Sequence, residues 1–153
     1  VNFKMAEKMQ LTGVKFFAEK QVDGITCGSG VMGELPGAMA ADDFIMMLKR
    51  EFDVECVQCN QLLRRPIRTV AICGGAGSFL LPEAIAAGAD AFVTGEMHYH
   101  DYFAHEQEIQ IAVIGHYQSE QYTYEIFKSI IEEQCEGVRC VVTSQNTNPI
   151  IYL

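Results

Sequence analysis

The chain has 153 residues, 49% of them hydrophobic, and a formal net charge of −9. A chain of this size buries enough apolar surface for a single folded domain over residues 1–153, which excludes intrinsic disorder as its class. The acidic balance argues against nucleic-acid binding and against docking on anionic membranes, since both require clustered Lys and Arg.

The cellular compartment is predicted from apolar runs and cysteines. No apolar run approaches the ~18 residues of a membrane-spanning helix, and residues 1–5 lack the basic and apolar regions of a signal peptide. Several of the six cysteines lie inside apolar runs, which is typical of reduced thiols. The sequence therefore predicts a cytoplasmic protein.

The first predicted elements are a helix, a glycine-rich strand region and a second helix. Helical spacing of apolar residues predicts the first helix over residues 2–11, with Asn2 as its cap. Residues 25–35 are β-like, and Pro36-Gly37 is predicted to break the chain after them. The second helix is predicted over residues 40–52, with Phe44, Met47, Leu48 and Phe52 on one apolar face.

The later elements alternate between strand and helix. Strands are predicted over 54–58, 68–73, 91–94, 109–114, 138–143 and 150–152, and helices over 79–87 (capped by Ser78), 99–107 and 119–134. Several of these strands lack polar alternation, which is typical of strands buried on both faces. The pattern predicts an α/β fold whose sheet is covered on both sides by helices.

The strongest chemical signal is Ile114-Gly115-His116-Tyr117-Gln118-Ser119-Glu120, where an apolar strand ends and a helix soon begins. Ligands of open α/β sheets bind beyond the carboxyl ends of strands. His116 and Glu120 are four residues apart across this corner, and imidazole with carboxylate suits zinc, manganese or iron. The alternative is a hydrogen-bonded His at a strand end and a Glu that favours the helix N-terminus.

A second signal follows the preceding buried strand, in Thr94-Gly95-Glu96-Met97-His98-Tyr99-His100-Asp101-Tyr102. If the two strands are parallel neighbours, their ends open onto one cleft. Glu96 or His100 would then hydrogen-bond to a metal ligand or act as a general acid/base, which makes them the candidate catalytic residues. The alternative is a helix cap with solvated histidines.

Three weaker patterns have structural explanations of equal or greater weight. The turn Gly74-Gly75-Ala76-Gly77 could cradle an anion with its N–H groups, or could be a tight turn without a ligand. Arg64, Arg65 and Arg68 are read by default as a solvated loop. Cys56-Val57-Gln58-Cys59 is interpreted as structural, because residues three apart on a strand face opposite sides.

Several long segments together resemble a known family. They are Gly28-Ser29-Gly30-Val31-Met32-Gly33-Glu34-Leu35, Val70-Ala71-Ile72-Cys73-Gly74-Gly75-Ala76-Gly77-Ser78, Gly88-Ala89-Asp90-Ala91-Phe92-Val93-Thr94-Gly95-Glu96 with Tyr99-His100-Asp101, and Gly115-His116-Tyr117-Gln118-Ser119-Glu120. In this order they resemble the dinuclear-metal-centre family of GTP cyclohydrolase 1 type 2 homologues, also called the interacting-factor-three (Nif-three) family.

The resemblance implies a three-layer α/β/α fold with a mostly parallel or mixed sheet, built from two similar halves. It implies two divalent metal ions per complete site, with His116 and Glu120 among their ligands. The family's other ligands, a His-His pair and an Asp, belong to an N-terminal half, and this chain has no His before His98. The chain is therefore expected to match the C-terminal half, without the N-terminal ligands and without the inserted domain of many bacterial members.

Two functions from different classes are consistent with these observations. The first is a metal-dependent hydrolase acting on a small nucleotide-like or cyclic amide substrate, with this chain largely inactive alone. The second is a non-catalytic metal-binding or protein-interaction oligomer, since the family often forms homohexamers. A generic flavodoxin-like domain fits the strand and helix alternation but leaves the His116–Glu120 corner unexplained.

Overall fold

The computed structural model describes residues 1–152. Within that range the helices are α1 (Asn2–Lys8), α2 (Ala41–Phe52), α3 (Leu81–Ala86), α4 (His116–Glu120) and α5 (Thr123–Gln134), with 3₁₀ helices at Ser78–Leu80 and Tyr99–Tyr102. The strands are β1 (Thr12–Phe17), β2 (Lys20–Val22), β3 (Ile25–Cys27), β4 (Gly30–Met39), β5 (Gln58–Cys59), β6 (Ile67–Cys73), β7 (Ala91–Thr94) and β8 (Gln110–Val113).

A six-stranded mixed sheet forms the centre of the molecule, in the order β1-β4-β6-β7-β8-β5. The three middle strands β6, β7 and β8 are parallel, and the pairs β1–β4, β4–β6 and β5–β8 are antiparallel. Strands β2 and β3 form a separate exposed hairpin. The expectation of a mixed α/β sheet is confirmed.

Two hydrophobic clusters cover the two faces of this sheet. One unites α1 and α2 with alternate sheet residues, among them Val70 and Val93. The other packs α3 and the first 3₁₀ helix against the neighbours of those residues, among them Ala71 and Phe92. Because side chains alternate across a strand, the two sets point to opposite faces. The expected three-layer arrangement is confirmed.

Helix α2 shows how the sequence pattern positions a layer. Phe44, Leu48 and Phe52 follow one another at four-residue spacing and are fully buried, which is the apolar stripe of a helix that packs on a sheet. Asp42 and Asp43 lie in the first turn, where the helix dipole favours negative charge. The predicted helix over 40–52 is confirmed within one residue.

Several predicted boundaries are wrong. The chain does not break at Pro36-Gly37, since β4 runs through it, and a register shift in the β4–β6 pairing accommodates the missing proline N–H. The predicted strand over 54–58 is reduced to the short β5. The predicted helix over 99–107 is only the 3₁₀ helix Tyr99–Tyr102, and the helix over 119–134 is divided into α4 and α5.

The two C-terminal strand predictions, over 138–143 and 150–152, are also wrong. Residues 138–152 contain no strand or helix in the part of the chain that the structure describes. Val141 and Ile151 are more than three-quarters exposed. A segment with apolar residues at alternating positions forms a strand only where it can hydrogen-bond to another strand. Residues 138–152 pair with no strand.

Two predicted helix caps are not formed. Asn2 is the first residue of α1 rather than its cap, and its side chain bonds to the backbone of Ser29 and Gly74 instead. Ser78 makes no side-chain cap bond to the helix that follows it.

Among residues 1–152, every helix is too short or too polar to cross a bilayer.

Candidate metal centre

The carboxyl ends of the three parallel strands meet at one edge of the sheet. Cys73 at the end of β6 pairs with Thr94 at the end of β7, and Thr94 pairs with Val113 of β8. Because these ends are in register, the loops that follow them converge. The expectation that the strands before Glu96 and His116 are parallel neighbours is therefore confirmed.

His116 lies between two carboxylates at this edge. Its Nε2 atom is 3.2 Å from Oε2 of Glu120, four residues later on α4. Its Nδ1 atom is 2.8 Å from Oε1 of Glu96, in the loop after β7. The three side chains are about half exposed, so a solute can reach them. Both ring nitrogens of His116 are therefore engaged by acidic partners.

A glycine and a serine hold this corner in place. Gly115 has a φ of +96° and precedes α4, and a Cβ atom there would overlap the side chain of Gln118. The Ser119 hydroxyl donates to the backbone oxygen of His116 at 2.8 Å and accepts the N–H of Gly75 at 2.9 Å. Ser119 thereby joins α4 to the glycine turn after β6.

Gly75 organises the other two loops. Its carbonyl oxygen accepts the N–H groups of Gly95 and Glu96, each at 3.0 Å, and the Thr94 hydroxyl at 3.2 Å. A Cβ atom on Gly75 would lie 2.7 Å from Oε1 of Glu120. The turn therefore positions Glu96 through its backbone and leaves room for Glu120 because it has no side chain.

The two carboxylates determine the protonation of the imidazole. The hydrogen bond that the His116 ring donates to Glu96 raises the pKa of His116 above its ordinary value. Partial desolvation opposes this, and the negative charge of Glu120 adds to it. Burial and the charge of Glu120 also raise the pKa of the nearby Cys73 thiol. Cys73 is therefore kept as a neutral thiol, which is a poor metal ligand.

A cavity opens on each side of His116. One of about 560 Å³ lies on the Glu96 side, with His98, Cys56 and Tyr152 in its wall. The other, of about 800 Å³, lies on the Glu120 side between α5 and residues 140–150. The site is thus open to ligands from two directions.

Not every predicted site residue joins this arrangement. His100 is exposed and packs against the rings of Tyr99 and Phe103, and the structure gives it no contact with His116. His98 is largely exposed, and its backbone N–H and ring face Asp101. Of the two candidate catalytic residues, Glu96 reaches the imidazole and His100 does not.

The glycine turn and the arginine cluster have structural roles in the fold. Three N–H groups of the glycine turn, those of Gly74, Gly75 and Gly77, already bond to protein side chains, which favours the tight-turn interpretation over an anion cradle. Arg65 and Arg68 pair with Asp90 and Glu34, respectively. The solvated-loop interpretation fits the exposed Arg64 and Arg65, whereas Arg68 lies in β6.

The cysteines form no disulfide, and all six are free in the described chain. Cys56 and Cys59 are both exposed. Cys59 lies in β5, but Cys56 precedes that strand. The argument that two residues three apart on one strand face opposite sides therefore does not apply to this pair.

Sequence reasoning missed four residues around the site. Ser119 and Thr94 act through hydrogen bonds to Gly75, and Cys56 and Tyr152 wall the cavity on the Glu96 side. Cys56 and Tyr152 are brought there by the tertiary fold and have no local signal. Ser119 lies inside the His116–Glu120 corner, and its one-turn spacing from His116 was the available clue.

The donor set fits part of a metal centre. His116 Nε2 and Glu120 Oε2 converge from one helix, and Glu96 on Nδ1 completes the carboxylate–histidine arrangement that orients metal-bound imidazoles. Within residues 1–152, however, no group of three or more His, Cys, Asp and Glu side chains is placed to hold an ion. The described residues therefore include two candidate ligands, His116 and Glu120, with Glu96 against the other ring nitrogen, and no complete ligand set.

Comparison with protein families gives one match over nearly the whole chain. The family model described as Duf34/NIF3 (NGG1p interacting factor 3) matches residues 1–149. A GTP cyclohydrolase 1 type 2 homolog of Staphylococcus epidermidis is 33% identical over 130 residues, which cover 82% of this chain and 35% of that relative. One of Halalkalibacterium halodurans is 29% identical over 135 residues, or 86% of this chain and 36% of that relative.

Solved structures agree with this fold. A Bacillus cereus protein related to NIF3 is similar with a TM-score of 0.71 and 28% identity, over 86% of this chain and 38% of that chain. A hypothetical protein of Staphylococcus aureus gives a TM-score of 0.86 at 21% identity, over 99% of this chain and 63% of that one. This chain spans about a third of the length of the curated relatives it matches.

Proposed function

The chain belongs to the Duf34/NIF3 family, and on that premise we propose that it is part of a dinuclear-metal-binding protein in which His116 and Glu120 hold one divalent cation. The observation that supports this is the convergence of Nε2 and Oε2 at 3.2 Å, with Nδ1 held by Glu96. A neutral imidazole that donates from Nδ1 to Glu96 presents the lone pair of Nε2, beside Oε2 of Glu120, to a cation. Zinc, manganese and iron are the metals that these ligands suit.

The second ion and the completion of the first need further ligands. We propose that they come from another segment of the complete protein, as the family resemblance implies. The cavity on the Glu120 side leaves that flank of the pair open to such ligands. Until they are supplied, binding by this chain is expected to be weak and hydrolytic activity absent.

The proposed reaction class is metal-dependent hydrolysis of a small nucleotide-like substrate. A bound divalent ion would supply Lewis acidity and a water of lowered pKa. His116 and Glu120 would fix the ion, and Glu96 would hold the imidazole in one tautomer. The cavity on the Glu96 side, of about 560 Å³, has the volume of a small-molecule site.

A second candidate function is a non-catalytic, interacting oligomer. Helix α5 buries none of its residues, all of which the structure describes, and Phe127 and Ile130 are at least half exposed. Exposed apolar surface of this kind marks protein contacts. We propose that the complete protein is a cytoplasmic homo-oligomer, a hexamer by family resemblance, in either case.

The test is a calorimetric titration of this chain with Zn²⁺ and with Mn²⁺. We expect no more than one weakly bound ion per chain, with affinity lowered at least tenfold in both His116→Ala and Glu120→Ala. His105→Ala is the matched control, because His105 also pairs with a carboxylate, Glu108, away from the site. Two tightly bound ions per chain, or binding that survives both site variants, would contradict the proposal.

The two candidate functions are separated with the metal-loaded complete protein. Hydrolysis of nucleotide-like substrates that disappears in both His116→Ala and Glu120→Ala would support the enzyme. An unchanged oligomer with no hydrolysis of any substrate tried would support the interaction role.

A further inference from the structure

We propose that a third cavity, between β5 and the 3₁₀ helix Tyr99–Tyr102, binds a planar, uncharged nitrogen heterocycle of purine type. The cavity has a volume of about 540 Å³, which is in the range of small-molecule sites. The inference deepens the proposed function, and it rests on that function only for the statement that the heterocycle belongs to the substrate. Ring binding itself requires no metal.

The first observation is a cluster of exposed aromatic rings. The Tyr99 and Phe103 rings meet edge to face with centroids 5.1 Å apart, and their residues are 73% and 52% exposed. His100 packs at the side of Tyr99 with centroids 5.4 Å apart. These contacts leave ring surface facing the cavity and solvent, and such surface stacks planar heterocycles.

The second observation is the polar rim of the same cavity. Gln58, Gln61 and Glu106 stand in its wall and are exposed. Amide groups donate and accept, and the carboxylate accepts, so together they match the mixed donor and acceptor edge of a purine. The wall contains no Lys or Arg, which argues against a phosphate group as the occupant of this cavity.

Tyr102 lies at the limit of hydrogen-bond distance from one of these amides. Its phenolic oxygen lies 3.5 Å from Oε1 of Gln58. Burial raises the pKa of Tyr102 to about 12, so the phenol keeps the proton that it donates to Gln58. With Oε1 as the acceptor, the Nε2 donors of Gln58 remain available to a ligand.

Gln58 belongs to the walls of both this cavity and the one at the candidate metal centre, which contains His116 and Glu96. A ligand whose ring stacks on Tyr99 and Phe103 can therefore extend past Gln58 toward the metal ligands. The geometry assigns the ring of a nucleotide-like substrate to the aromatic cavity and its reacting portion to the His116 cavity.

The experiment is a nuclear magnetic resonance titration of ¹⁵N-labelled chain, without metal, with guanosine and adenosine, and with ribose as the non-planar control. We expect the nucleosides to shift the amide signals of residues 58–61 and 99–106 and ribose to leave them unchanged. The double variant Tyr99→Leu with Phe103→Leu is expected to weaken nucleoside binding about tenfold or more, because stacking on aromatic side chains is lost.

Phe79→Leu is the matched control, since Phe79 is 61% exposed on another 3₁₀ helix and lies outside this cavity. His116→Ala separates the two proposals: nucleoside binding that persists in this variant supports the aromatic site whether or not the metal proposal holds. The inference is overturned if nucleosides leave these signals unchanged, or if the double variant binds them as the native chain does. It is also overturned if the aromatic residues are instead buried in a dimer of the native chain, detected by sedimentation and abolished in the double variant.

Discussion

The Nδ1 atom of His116 lies 2.8 Å from Oε1 of Glu96, although the two residues follow different strands. The contact exists because β7 and β8 are parallel neighbours whose ends are in register. It gives the imidazole a fixed orientation with Nε2 turned toward Glu120. A pair of residues four apart on one helix thereby becomes a three-residue arrangement.

Replacing Glu96 by Gln is expected to lower Zn²⁺ affinity about tenfold, because carboxylates behind a metal-bound His raise its basicity and hold its tautomer. Calorimetric titration of the variant measures this. Glu83→Gln, on the exposed first turn of α3, is the control and should bind as the native chain does. Equal affinity in Glu96→Gln and the native chain would show that Glu96 does not support a metal ligand.

Gly75→Ala is expected to cost about as much stability as Gly13→Ala, but only Gly75→Ala should displace Glu120. Both glycines have φ near +60°, so each substitution costs about 1 kcal/mol for the left-handed backbone. Only at Gly75 would the new Cβ atom meet the carboxylate of Glu120, which ends a flexible, half-exposed side chain and can move aside at little cost in stability. Urea denaturation measures both losses.

Zn²⁺ titration of the same two variants provides a second readout. Displacement of Glu120 by the Cβ atom should weaken binding in Gly75→Ala and leave it unchanged in Gly13→Ala. If the two variants bind the ion equally, the turn does not shape the site.

Asn60→Ala is expected to lower the free energy of unfolding by about 3 kcal/mol, because buried donors and acceptors would lose their partner. Asn60 Oδ1 accepts the Ile111 N–H and the amide of Gln110, each at 2.9 Å, and Nδ2 donates to the Ile109 carbonyl at 2.8 Å. These bonds hold the segment that carries Gln58 against β8.

The exposed neighbour Gln61 serves as the control for that measurement, and Gln61→Ala should change stability by less than about 0.5 kcal/mol. Chemical denaturation of both variants gives the comparison. Similar losses in the two variants would mean that the buried amide network does not anchor this edge of the sheet.

Asp90 makes the stability of the protein depend on pH in the acid range. Burial alone would raise the pKa of this carboxyl, but the backbone N–H groups of Thr69 and Arg68 and the Arg65 guanidinium lower it below its ordinary value. A depressed folded-state pKa stabilises the fold above the unfolded-state value. That contribution is lost as pH falls through the folded-state value.

We therefore expect the free energy of unfolding to fall as pH is lowered from about 5, and to fall less steeply in Asp90→Asn. Urea denaturation across this range measures the slope. Asp23→Asn, in the exposed hairpin turn, is the control for removing one carboxylate, since Asn tolerates the same left-handed backbone. A native slope in Asp90→Asn would contradict this account.

Sequence patterns predicted those elements that carry their own local signal. The apolar stripe of α2 and the uninterrupted apolar runs of β6, β7 and β8 were identified within one or two residues. Strands that depend on a partner were not predicted correctly. The apolar residues of 138–143 are exposed and pair with no strand, and near the predicted strand over 54–58 only Gln58–Cys59 pairs with β8. A strand is stabilised by hydrogen bonds to another strand, which its own sequence does not specify.

The candidate site was also predicted only in part from the sequence. Four-residue spacing at a strand–helix corner was enough to select His116 and Glu120, because a single helical turn brings them together. Glu96 and His100 were equivalent in the sequence, since both follow the same strand. The structure separates them, with Glu96 against His116 and His100 against an aromatic cluster.

The sequence by itself determined the α/β class, the family and the His116–Glu120 pair, because these depend on periodicity, motif order and spacing along the chain. Only the tertiary structure decided that Glu96 orients His116, that Gly75 must lack a side chain, and that Gln58 lies between two cavities. Glu96 and Gly75 are placed by the register of the parallel strands β6, β7 and β8, and Gln58 by the antiparallel pairing of β5 with β8. Strand pairing of either kind brings together residues that are distant in sequence.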